Sequence, residues 1–157
     1  MRGLVLLGVM LSLFLTSCDS TRVYEQYYDF NEGSWIVSET PEFEFTINQS
    51  NQKYNLYCNI RNSSDYPNAR FFFTYYFQDS TGTVLQQELK TELLFDNKTG
   101  KPFGSSGVGD IYDHQFNILK NYQFNHPGKF KVKFEQFMRT DTLSGILAVG
   151  LRVEKAD

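Results

Sequence analysis

From Lys129 to Glu135 the chain reads Lys-Phe-Lys-Val-Lys-Phe-Glu, with every second residue apolar and the rest charged. A period of two sends alternate side chains to opposite sides of an extended backbone, so the stretch suits a strand with one buried and one wet face. Glu42-Phe43-Glu44-Phe45-Thr46-Ile47-Asn48 repeats the pattern, and so does the end of the chain, where Leu147, Val149, Leu151 and Val153 share one face. Three such alternations predict a sheet protein. Tyr54, Leu56, Cys58 and Ile60 form another face, ending near Arg61-Asn62, and Ser63 to Asn68 then reads as a turn. Ala69 to Phe77 is aromatic on both faces, as expected of a central strand covered on both sides or bordering a partner.

Val84 to Phe95 reads two ways. Leu85, Leu89 and Leu93 fit a helix, yet together with Phe95 they also fall on one strand face, and the β neighbours and short turns favour a strand. Tyr112 to Leu119 adds a further strand, and Asn125-His126-Pro127-Gly128 is a turn. The expected fold is an all-β antiparallel sandwich of about seven or eight strands, Ig-like or jelly-roll-like. Aromatic residues at 17% of the chain can supply its core.

The N-terminus carries a separate message. One positive charge at Arg2 precedes an apolar run from Leu4 to Leu15, too short for the ~20 residues of a membrane span but suited to an export signal. Leu15-Thr16-Ser17-Cys18 follows and resembles the bacterial lipobox, in which small residues before a cysteine admit the lipoprotein signal peptidase. The expectation is a removed signal over 1–17, a lipidated terminus at Cys18 with 18–30 as tether or edge strand, and a single domain over 31–157. One acyl chain binds a membrane only marginally, whereas two or three on Cys18 make attachment effectively permanent. Cys58 then has no cysteine to pair with and reads as a small buried apolar residue.

Without Arg2, the fifteen basic residues become fourteen against eighteen acidic ones. That mild acidity argues against nucleic acid and against adhesion to anionic lipid by charge, leaving the lipid as the expected membrane device. Catalysis needs activated groups that converge. Asp110, Asp113 and His114 are the nearest approach to an acid, base or ligand set, but their spacing does not place all three on one strand face, and His126 lies far along the chain. Trp35 and the tyrosines are candidates for stacking on sugars, although a β core needs the same residues. No catalytic residue, metal ligand, cofactor or small-molecule substrate is expected.

Phe103-Gly104-Ser105-Ser106-Gly107-Val108-Gly109-Asp110 looks at first like a phosphate cradle. A phosphate loop ends in Gly-Lys-Ser/Thr, whereas Gly109 is followed by an acid that repels phosphate.

Read together, the segments Cys18-Asp-Ser-x-Arg-Val-Tyr-Glu, Tyr28-Asp-Phe, Asp65-Tyr66-Pro67, Phe95-Asp96-x-Lys98-Thr99-Gly100-Lys101-Pro102-Phe103-Gly104, Gly109-Asp110-Ile-Tyr-Asp-His114 and Leu147-Ala-Val-Gly-Leu-Arg-Val153 resemble the gliding motility lipoprotein GldH family of the Bacteroidetes. The resemblance spans the mature chain. It implies a non-enzymatic lipoprotein of the cell envelope, in the outer membrane, tied to gliding and type IX secretion, and the lack of an acidic run after Asp19, where Ser20-Thr21-Arg22 follows, points to the periplasmic side. It carries over one functional residue, the lipid site Cys18. Its most specific stretch nominates Lys98, Lys101, Pro102, Phe103, Gly104, Gly107, Gly109 and Asp110 as a loop facing another gliding or secretion envelope protein. The alternative is a glycan-binding sandwich of the envelope.

Overall fold

A computed structural model describes residues 19–156, so Cys18 and the signal segment lie outside the described residues. The described residues are all-β apart from one 3-10 turn at Asn31–Gly33. A five-stranded antiparallel sheet runs in the order β1 (Arg22–Asp29), β11 (Ile146–Lys155), β4 (Lys53–Ser63), β8 (Ile111–Gln123), β7 (Ser105–Ser106). A four-stranded antiparallel sheet, β3 (Glu42–Ile47), β9 (Gly128–Gln136), β5 (Arg70–Asp79), β6 (Val84–Leu93), packs against it, and β2 (Ser34–Ile36) pairs with β10 (Thr142–Ser144) as a short ribbon. The sandwich is thus made of eight strands of six residues or more, with three short ones added.

The alternations were legible because they are the pleat. Phe43, Phe45 and Ile47 of β3 and Phe130, Val132 and Phe134 of β9 are all buried between the sheets. Their outward neighbours pair across the strands, Lys129 Nζ and Lys131 Nζ each 2.7 Å from a carboxylate oxygen, on Glu44 and Glu42 respectively. Tyr54, Leu56, Cys58 and Ile60 of β4 supply the facing layer. Aromatic rings fill the space between, with Phe124 and Phe130 centroids 4.6 Å apart and Phe124 edge-on to Tyr54 at 5.4 Å. Such offset and edge contacts contribute beyond simple burial.

β5 lies between β9 and β6 in its sheet, but its outer face is not covered like its inner one, and Phe72 and Tyr76 there are only partly buried. Phe71, Phe73, Tyr75 and Phe77 are fully buried inward. Outward, Tyr76 donates to Glu135 Oε2 at 2.9 Å beneath the Lys133 ammonium. β6 is a strand, but its sides differ from a core-facing pattern. Leu85 and Leu89 stand about half exposed on the outer face, at 46% and 48%. Gln86, Glu88 and Lys90, opposite Phe77, Tyr75 and Phe73, take the inner side. Because β6 is an edge strand, that inner side overhangs the rim, where the Tyr75 hydroxyl donates to Ile118 O and accepts from Gln86 Nε2 at 2.8 Å. Leu94, just past the strand, is the residue that plugs the core.

The strand registers define two ends. One end carries Asp19, the start of β1, the start of β4 at Lys53 and the end of β11 at Lys155, since Arg22 sits opposite Glu154 and Lys155 opposite Tyr54. The other carries the β4–β5 turn, the β6–β8 loop and the β2/β10 ribbon, since Ser63 sits opposite Ile111 and Arg70 opposite Leu93. β4, eleven residues long, bridges them at ~3.3 Å per residue, or roughly 35 Å.

Candidate functional site

The segment after β6 is built as a closed turn. Asp96 Oδ1 accepts hydrogen bonds from Lys98 N at 2.9 Å and from Thr99 N at 2.7 Å, and the Thr99 hydroxyl donates to it at 3.0 Å. These donors hold the Asp96 carboxyl below its usual range. Gly100 takes φ +68°, and Asp96 N donates to Lys101 O at 2.8 Å, closing the turn. Phe95 bridges Pro102, and Phe103 N donates to Leu94 O. Lys98 and Lys101 are left exposed on the rim.

The glycine-rich stretch then folds along the free edge of β8. Ser105 and Ser106 form β7 opposite Asp113 and Tyr112. A Cβ on Gly104 would lie 2.7 Å from both Asp113 O and His114 Nε2, closer than real contacts allow, so the backbone there rests directly on the imidazole. Around Gly107 the space is ordinary, the nearest atom being Ile111 O at 3.4 Å, and Gly109 is open with φ +72°. Ser64 N donates to Asp110 O, tying the loop to the β4–β5 turn. The product is a short hairpin with exposed apolar side chains, Phe103 at 57% and Val108 at 93% exposure.

Between the Asp96 turn over 95–102 and the turn over residues 64–69 lies a cleft of about 370 Å³, lined by Tyr66, Pro67, Phe95, Asp96, Pro102 and, from β8, Tyr112 among others. Tyr66 stacks on Phe95, whose ring meets Tyr112 edge-on. The Tyr66 hydroxyl donates to Arg70 O at 2.7 Å, and burial raises its pKa. Gly145 backs this floor, where a Cβ would lie 2.5 Å from Tyr66 N. Segments distant in sequence, Asp65-Tyr66-Pro67, 95–104 and 109–114, therefore meet at one end. Asn68 borders both this cleft and a groove on the adjoining outer face formed with Phe72, Leu89, Phe137, Met138 and Arg139.

The residues weighed for chemistry diverge. Asp113 pairs outward with Arg61 Nε at 2.8 Å, Asp110 is exposed in the loop, and His114 points inward, stacked on Phe116. Burial lowers the His114 pKa to about 4, and its Nε2 has no hydrogen-bond partner among the described residues. His126 lies at the other end, with Nδ1 2.9 Å from Pro127 O. Among the described residues no group of three or more His, Cys, Asp or Glu could hold a metal ion. Trp35 is fully buried, stacked on Phe30 at 4.7 Å and donating Nε1–H to Glu39 O, so it presents no face to a sugar. Cys58 is a buried free thiol whose pKa is pushed well up by burial.

Sequence reasoning missed Arg152. It sits 16% exposed on the outer side of β11, paired with Asp19, with Glu25 at 3.2 Å and with Glu154 at 3.0 Å. A single arginine inside Leu147–Val153, at an outward position of the alternation, was the available signal.

The family model described as GldH lipoprotein matches residues 22–153. The chain belongs to the GldH lipoprotein family. Over 160 residues it is 31% identical to a gliding motility lipoprotein GldH homolog of Christiangramia forsetii, covering 98% of this chain and 96% of that protein. The gliding motility lipoprotein GldH of Flavobacterium johnsoniae is 28% identical over 162 residues, covering 99% and 96%. Among solved structures, infectious bursal disease virus Gx strain aligns at a TM-score of 0.41 and 13% identity, over 88% of this chain and 33% of the viral one. So distant a likeness carries no argument. Family membership covers the cleft, the hairpin and Arg152 alike, and the family is not one known for enzymes.

Proposed function

We propose that the protein is a lipid-anchored, non-enzymatic component of the gliding motility apparatus associated with type IX secretion, acting as a scaffold or assembly factor. Lipid on Cys18 holds it at the periplasmic side of the outer membrane, and the hairpin end docks another envelope protein. The carrying observation is that residues 64–69, 95–102 and Tyr112, far apart in sequence, meet around one cleft at the end of the sandwich opposite Asp19. Phe103 and Val108 present apolar surface on a preformed hairpin, so docking would order few new residues. Lys98, Lys101 and Asp110 add charged groups beside them, next to the half-buried Pro102, and Gly104 and Gly109 set the backbone path.

Two substitutions test the reading in native envelopes. Cys18→Ala should move the protein out of the membrane fraction; unchanged fractionation removes the anchor. Phe103→Ser with Val108→Ser should abolish a specific cross-linked protein adduct while leaving the melting temperature unchanged. Retention of that adduct refutes the hairpin as the docking site, and enrichment by polysaccharide alone favours the glycan-binding alternative.

A further inference from the structure

The end of the sandwich opposite the hairpin shows how the domain meets its membrane. Asp19 is not free chain: its Oδ1 accepts from the Thr21 hydroxyl at 2.7 Å and its Oδ2 from Arg152. Lys155 N donates to Thr21 O at 2.8 Å, and β1 pairs with β11 from Arg22 onward. Cys18 is therefore bonded directly to a residue tied to the fold, with three residues, 19–21, between it and the start of strand pairing at Arg22. If that cysteine bears the lipid, as the proposed function holds, there is no leash. An end face rooted this close to the bilayer meets headgroups.

The charges of that end face are sorted in a way that suits them. Among the described residues its acidic side chains are occupied internally: Asp19 and Glu154 by Arg152, and Asp79 by its own turn, where Oδ1 accepts from Thr81 N, the Thr81 hydroxyl and Thr83 N. Lys53, Lys120 and Lys155 are exposed there and form no ion pair with any described residue. Ser50, Asn51, Gln123 and Asn125 line a mostly polar hollow at the same end, floored by Phe124. The acidic overall charge therefore conceals a base whose uncommitted side chains, among the described residues, are cationic or neutral.

We infer that this end face, with Lys53, Lys120 and Lys155 around the Asp19–Arg152 clamp, is a membrane-contact surface that seats on phospholipid headgroup phosphates and holds the domain end-on. Each lysine donates to phosphate oxygens, and the clamp turns one anchoring point into a fixed orientation. The hairpin is then carried to the far side, roughly a strand length above the bilayer.

The test uses full-length lipidated protein in vesicles of phosphatidylethanolamine and phosphatidylglycerol carrying a headgroup nitroxide lipid. A fluorophore at Asn51→Cys reports the base, and one at Val108→Cys reports the hairpin. The expected result is quenching several-fold stronger at position 51, reduced at least about twofold by Lys53→Glu, Lys120→Glu and Lys155→Glu together, with co-flotation retained. Equal quenching at the two positions, or quenching at position 51 that the triple substitution leaves unchanged, overturns the contact surface while leaving the lipid anchor standing. Loss of flotation by the unsubstituted protein defeats the anchor and the contact surface together. Circular dichroism checks that the triple variant, altered only at exposed positions, keeps its fold.

Discussion

Gly104 lies against His114 so closely that a Cβ would sit 2.7 Å from the imidazole Nε2. This contact separates two uses of glycine within one eight-residue stretch. At Gly104 the missing side chain lets the hairpin backbone rest on β8, while at Gly107 the space is already adequate. Gly104→Val is expected to destabilise the domain by about 1–3 kcal/mol through overpacking. Gly107→Ala should be nearly silent. Denaturant midpoints check both, and equal effects would contradict the assigned roles.

Burying His114 makes stability depend on pH. Its folded pKa, lowered to about 4, lies below the ordinary 6.5, so the unfolded chain takes up the proton more readily. The contribution is whole above pH 6.5 and falls away as pH drops toward 4. A shift of this size is on the order of 3 kcal/mol at most. His114→Leu should flatten the stability profile across that window, as read from urea midpoints at several pH values. An unchanged slope would show that other groups carry it.

Cys58 is a fully buried thiol whose pKa is raised by its surroundings. It should resist maleimide labelling in the folded protein and react on unfolding. Labelling at the rate of a free thiol under native conditions would contradict the packing of β4.

Trp35 joins the short β2/β10 ribbon to the core, where it meets Phe30 and Phe71. Trp35→Ala should cost about 3–5 kcal/mol, measured by calorimetry. A glycan-stacking role would instead appear as lost polysaccharide binding at unchanged stability.

The long strands were legible because their alternation is a local property. β3, β9 and the facing residues of β4 could be read residue by residue. β6 was readable as a strand but not in its orientation, because an edge position decides that its leucines face outward and its polar residues meet the Tyr75 hydroxyl. β2 and β10, three residues each, carry too short a pattern to register. The cleft was invisible for a different reason: Tyr66, Phe95 and Tyr112 come together only once the β4–β5 turn and the hairpin share one end. Arg152 looked like an ordinary outward residue, since nothing local reveals that Asp19 reaches it from the other end of the chain.

In the proposed arrangement the hairpin end meets another protein while the opposite end faces the membrane. Photoreactive residues placed singly at Val108 and at Asn51 in the native envelope test this most directly. The expected result is a discrete protein adduct at Val108, lost with Phe103→Ser, and lipid adducts at Asn51. Protein adducts at Asn51 with none at Val108 would contradict it.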